Sequence, residues 1–142
     1  MRLVRLEQYY MGNTYSSTKY VYKANENIKV GDLVSGPNYI GKVIEDNVQP
    51  VLELYKYKDT YPCSREKAFK FLKETYLAKD AYEYYKEYDR MRQHGGYEDP
   101  NYGWISAYEM DDYGCDYEPE DPHIQKWAEN FANDVLKKWG VN

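Results

Sequence analysis

Residues 63–94 contain neither proline nor glycine. A run of that length, closed on one side by Pro62 and on the other by Gly95-Gly96, reads as helix. Ser64 is placed to cap its start. Ala68, Phe69, Leu72 and Tyr76 form one apolar stripe at helical spacing. Leu77, Ala81, Tyr84, Tyr85, Tyr88 and Met91 form a second. The two stripes do not align over the full length. That mismatch predicts a bend or break near Ala78–Asp80, with Asp80 available to cap the second piece.

Upstream of this run the pattern changes period. "RLVRLEQYY" carries Leu3 and Leu6 as anchors, and "TKYVYKA" sets Tyr20 and Tyr22 against Val21. Strand formers on both faces predict β structure. Gly31-Asp32 and Gly36-Pro37-Asn38 are turn signals. Short strands are expected at Leu33-Val34 and Ile40–Ile44. Val51–Asp59 is expected to close the set, alternating Val51, Glu53, Tyr55 and Tyr57 against Leu52 and Leu54. Such short strands joined by tight turns suggest a curled antiparallel sheet or small barrel.

Within residues 19–57, "YVYKANENIKVGDLVSGPNYIGKVIE" resembles the SH3-like small β-barrels of phage and bacterial proteins. The matching residues are Val30, Gly31, Asp32, Val34, Gly41 and Val43. The resemblance implies a β-module and transfers no catalytic residue.

The C-terminal stretch predicts a helix over 122–140. Asp121 is the N-cap, Pro122 the first helical residue and Gly140 the stop. Ile124, Trp127, Ala128, Phe131, Val135, Leu136 and Trp139 recur at three and four residues, so one face is expected to be buried.

Between the two helices lies "YEDPNYGWISAYEMDDYGCDYEPEDP", Tyr97–Pro122. It has nine carboxylates, five tyrosines, one tryptophan and no Lys or Arg. The chain's formal charge is −5, yet the remainder holds nineteen basic residues against fifteen acids. One segment makes the protein acidic, and such a field steers partners rather than folding. Tyr102, Trp104, Ile105 and Tyr108 offer surface worth burying. "GWISAYEM" is expected to form a short strand or a helical turn.

Catalytic chemistry is poorly supplied. His94 falls at a helix end and His123 in the first turn of another. Cys115 sits among acids, which raise a thiol's pKa. Cys63 and Cys115 match no zinc spacing and are expected to be free thiols. Asp111, Asp112, Asp116, Glu118, Glu120 and Asp121 offer oxygen ligands, but their spacing does not fit an EF-hand loop. "GPNYIGK" lacks the Ser or Thr of a phosphate-binding loop. The lysines and arginines of 65–92 alternate with Glu66, Glu74, Glu83, Glu87 and Asp89, the composition of an ordinary solvated helix face rather than a nucleic-acid surface. No signal segment opens the sequence and no apolar run reaches bilayer length, so a cytoplasmic location is expected (the host's cytoplasm for a phage protein).

The expectation is an α+β fold in one domain. It comprises a β-rich part (1–60), a helical part (61–96), an acidic aromatic connection (97–121) and a terminal helix (122–140) that packs back on the sheet. The expected role is non-enzymatic and cofactor-free. It is that of a phage or mobile-element accessory protein that inhibits or regulates a basic partner, such as a nuclease or another nucleic-acid-handling enzyme. The charge would come from Asp111, Asp112, Asp116, Glu118 and Glu120. Trp104, Tyr108, Tyr113 and Tyr117 would be the anchors. The alternatives are a nucleotide binder that stacks tyrosines on a ring, a divalent-metal-dependent enzyme, and a subunit that buries its aromatic stripes against copies of itself.

Overall fold

The structure, a computed structural model, describes residues 2–113 and 117–141, apart from the side chains of 111–113. It is α+β. Strands β1 (Arg2–Tyr10), β2 (Val21–Ala24), β3 (Leu33–Gly36), β4 (Tyr39–Glu45) and β5 (Tyr61–Pro62) form one antiparallel sheet in the order β2-β1-β4-β3-β5. There follow α1 (Arg65–Gln93), a hairpin of β6 (Gly96–Asp99) and β7 (Gly103–Ser106), α2 (Ala107–Tyr113) and α3 (Pro122–Lys138).

The five-stranded sheet curls into a half-barrel. A bulge in the β1–β4 pairing helps it curl: Arg5 lies opposite Glu45 and Leu6 opposite Val43, so Ile44 is the extra residue. The two edges then approach each other. Lys23 of β2 donates its N–H to the Lys58 carbonyl (2.9 Å), and Thr60 donates to the Lys23 carbonyl (3.1 Å). Residues just ahead of β5 thereby bridge to the opposite edge. In the turn before β3, Asp32 accepts the Lys29 N–H on its side chain (2.9 Å), and Gly31 donates to the Val43 carbonyl (2.8 Å).

Alternation along these strands supplies two apolar layers. Val4, Leu6, Tyr22, Ala24, Ile28, Val34, Tyr39 and Val43 fill the concave side. Tyr9 and Ile40 face outward and meet Ala68 and Leu72 of α1, together with Ala132, Val135, Leu136 and Trp139. A fully buried Leu or Ile contributes about 1.5–3 kcal/mol. Ile40, Leu72 and Leu136, each under 2% exposed, therefore hold the helices to the sheet more strongly than the surface pair Lys73–Glu129 (3.3 Å). The terminal helix is also tied to β1. Glu7 accepts the Trp139 indole N–H and lies 3.1 Å from Lys138 Nζ. Burial alone would raise the Glu7 carboxyl, but these two donors outweigh it and hold it below the usual carboxylate value.

Three expectations need correction. Val51–Asp59 is not a strand. Leu54–Lys56 form a 3-10 turn, and the Tyr57 hydroxyl accepts the N–H groups of Val51 (2.9 Å) and Leu52 (3.0 Å). Residues 58–62 already occupy both sheet edges, so a strand at 51–57 would have no partner there. The long helix is unbroken over its 29 residues. Asp80 lies mid-helix and caps nothing. The two stripes differ in phase because they serve different partners: the first packs on the sheet and α3, the second faces the acidic segment. Trp127, expected on the buried stripe, is 53% exposed. The small residues Ala128 and Ala132 form that contact instead. The caps predicted at Ser64 and Asp121 hold. Ser64 accepts from the Lys67 N–H (3.1 Å), Asp121 from the His123 N–H (2.8 Å), and Pro122 opens α3.

Two predictions follow from the tyrosine-filled concave side. Tyr39 donates its hydroxyl to Thr60 Oγ1 (2.8 Å) and stacks on Tyr22 at 4.8 Å, while a Cβ on Gly36 would overlap the Tyr39 ring. With that ring pinned, Gly36→Ala should lower stability by about 1–3 kcal/mol in urea unfolding. Burial also pushes the Tyr39 phenol up to about 12, its bond to Thr60 recovering only part of the shift. Burial raises Tyr22 as well, with the Tyr10 hydroxyl adding to it. The unfolded chain releases these protons near the ordinary value of 10.0 and the folded chain holds them longer. Stability should therefore be intact below pH 10 and fall as pH rises towards about 12, as read by urea unfolding at each pH.

Candidate functional site

Helix α1 is longer than the layer it packs against. At 1.5 Å per residue it extends about 43 Å. Its buried residues, Ala68, Leu72 and Thr75, all lie in the N-terminal half. The C-terminal half overhangs the sheet and is clad by the acidic segment.

The segment can return along α1 because of Gly95 and Gly96. Gly95 has φ +87° and Gly96 φ +134°, and a Cβ on Gly96 would overlap the Ile105 carbonyl oxygen. The chain reverses there and Ala107 donates to the Gly95 carbonyl (2.9 Å), closing the base of the hairpin. Asp99 holds the hairpin tip, its side chain accepting the N–H groups of Asn101 (2.8 Å) and Tyr102 (3.1 Å). Tyr97 pairs with Ile105 and Glu98 with Trp104, so these pairs point to opposite faces.

Farther on, Tyr117 clasps the segment back onto α1. Its hydroxyl donates to Asp80 Oδ2 (2.6 Å) and its N–H to the Tyr85 hydroxyl (3.1 Å). Its ring lies 5.6 Å from that of Tyr84. Burial pushes the Tyr117 phenol up, and the Asp80 carboxylate pushes it further.

A groove of about 780 Å³ lies between these parts. One wall is a single face of α1: Asp80, Glu83, Tyr84, Glu87, Tyr88 and Met91. Tyr97, Ile105 and Met110 line it from the hairpin and α2, Tyr117, Glu118 and Asp121 from the approach to α3, and Ile124 from the first turn of α3. The described lining thus includes five carboxylates and no Lys or Arg. Glu83 pairs with Lys79 (3.5 Å) and Glu87 with Arg90, both carboxylates being exposed. Such pairs are worth about 0–1 kcal/mol and yield readily to a better-placed cation. Asp121 lies 3.4 Å from His123 Nδ1.

The expected site residues fall in several places. Tyr117 and Glu118 line the groove. Glu120 is exposed beyond it. Trp104 (60% exposed) is on the opposite face of the hairpin from Tyr97, and Tyr108 (77% exposed) projects from α2. Asp111, Asp112 and Tyr113 belong to the last turn of α2, and their side chains lie outside the described residues, as does Asp116 altogether. The α1 contribution (Asp80, Glu83 and Glu87, with Tyr84, Tyr88 and Met91) was not anticipated. Its signal was acids and aromatics recurring at helical spacing, masked by the intervening Lys79, Lys86 and Arg90.

Chemically, the groove suits a ligand that is both cationic and apolar. Tyrosine faces and carboxylates attract Lys and Arg, whereas the phosphates of a nucleotide would meet five negative charges. Among the described residues, no group of three or more His, Cys, Asp or Glu is placed to hold a metal ion. His94 is exposed at the end of α1. Burial pushes the Cys63 thiol up, with Ser35 and Lys67 opposing, so it is a poor thiolate. No described helix is long and apolar enough to cross a membrane. No protein-family model, curated protein or solved structure matches the chain.

Gly96→Ala tests how the wall is built. It should strip amide-exchange protection from residues 97–106 and leave that of β1 and β4 in place. Equal loss in both regions would mean that the hairpin and the half-barrel open as one unit.

Proposed function

We propose that the chain is a non-enzymatic binding protein that seats a basic surface of a larger partner in the acidic groove and thereby inhibits or regulates it. A nuclease or another nucleic-acid-handling enzyme has the required surface, because contact with phosphates demands Lys and Arg. Occupying those residues excludes the nucleic acid. A phage or mobile-element accessory protein acting against a host defence enzyme fits this role. The SH3-like character of the half-barrel belongs to the same proposal, and the residues Val30 to Val43 that suggest it form the β3–β4 hairpin and its preceding turn.

The supporting observation is the groove lining: five carboxylates, four tyrosines and four apolar side chains, with no basic residue among those described. An ordinary solvated acidic surface has the charge without the apolar floor.

The test is the triple variant Glu83→Lys, Glu87→Lys, Glu118→Lys, in residues that are all exposed. The wild-type chain should retain a basic enzyme from a bacterial lysate at low salt, release it at high salt and reduce that enzyme's activity on nucleic acid. The variant should lose both effects while its melting temperature moves by no more than a few degrees. Undiminished binding and inhibition by the variant would end the proposal.

A further inference from the structure

Taking the groove as a docking site, we infer that what it accepts is a basic amphipathic α-helix rather than an extended basic tail. The deep part of the lining is apolar: Ile105 and Met110 are 8% and 4% exposed, and Met91 on the α1 wall is half-buried. The carboxylates stand at the rim, with Glu87 on α1 and Glu118 on the segment before α3 both exposed. An occupant must therefore direct apolar side chains downward and cations to both sides. An extended strand offers only two opposite directions, since successive side chains alternate, so its cations would point away from the walls. A helix presents an apolar stripe flanked on both sides by other residues. The length agrees. Asp80 to Met91 spans about 16 Å of α1, or about three helical turns. The two methionines are unbranched and polarisable, and can adapt to the ridges of a docked helix.

The experiment uses the full chain and three synthetic peptides of about fourteen residues, long enough for four turns. Two have identical Leu and Lys composition, one ordered at helical period and the other strictly alternating. The third is oligolysine. Binding is read by anisotropy and peptide helicity by circular dichroism. The helical-period peptide should bind at least about tenfold more tightly than the alternating one and gain helicity on binding. Met91→Gln, on a half-exposed helical site, should weaken it by about threefold or more without unfolding the chain. Equal affinity for the two Leu–Lys peptides, or binding without helix formation, would overturn the inference while leaving the docking of basic partners intact. Failure of all three peptides to bind would overturn both.

Discussion

The groove and the segment that encloses it depend on the overhang of α1. Sheet and α3 together bury only Ala68, Leu72 and Thr75 of this helix. Beyond Tyr76 it has no sheet beneath it, yet it carries Tyr84, Tyr88 and Met91 along one face. A helix with an apolar stripe in water needs a second layer. The acidic segment supplies one, through the hairpin, α2 and the Tyr117 clasp. That cover is incomplete, and what it leaves open is the groove. The same geometry that stabilises the far end of α1 thus produces the most distinctive surface of the molecule.

The charge follows from this arrangement. In sequence, the acids of α1 alternate with lysines and arginines and appear balanced. On the folded helix, residues three and four apart share a face, so Asp80, Glu83 and Glu87 align. The segment clasped onto that face brings Glu118 and Asp121. Two of the five carboxylates, Glu83 and Glu87, pair with Lys79 and Arg90. Those pairs moderate the field without filling the groove. Negative potential and apolar surface therefore coincide, although neither contributing segment carries both in full.

Local signals in the sequence translated faithfully, and the failures all concern what an element packs against. Ser64, Asp121-Pro122, Gly95-Gly96 and Gly140 mark ends that depend on capping and backbone freedom alone. The inward set Val4, Leu6, Val34 and Val43 follows from alternation. Val51–Asp59 has the pattern of a strand, but strand formation requires a free edge, and residues 58–62 had taken both. The mismatched stripes of α1 resembled a break because a stripe records where the partner lies, and this helix has two partners. The groove was half legible. Tyr117 and Glu118 stand in a conspicuous segment, whereas the α1 wall depends on a tertiary juxtaposition that linear charge counting averages away.

Tyrosine unites the two halves of the molecule. The chain has nineteen tyrosines against three phenylalanines. Several of the hydroxyls are tie points within it. Tyr39 bonds Thr60 beside the joined sheet edges, Tyr57 gathers the Val51 and Leu52 amides, Tyr85 accepts the Tyr117 amide, and Tyr117 reaches Asp80. At Tyr39, Tyr85 and Tyr117 the ring also packs on another tyrosine, so ring and hydroxyl both hold the chain together. A phenylalanine at these positions would keep the packing and lose the tie. The enrichment is therefore first a solution to joining short, irregular elements. Four of the tyrosines, Tyr84, Tyr88, Tyr97 and Tyr117, also line the groove, where they add aromatic surface to its five carboxylates.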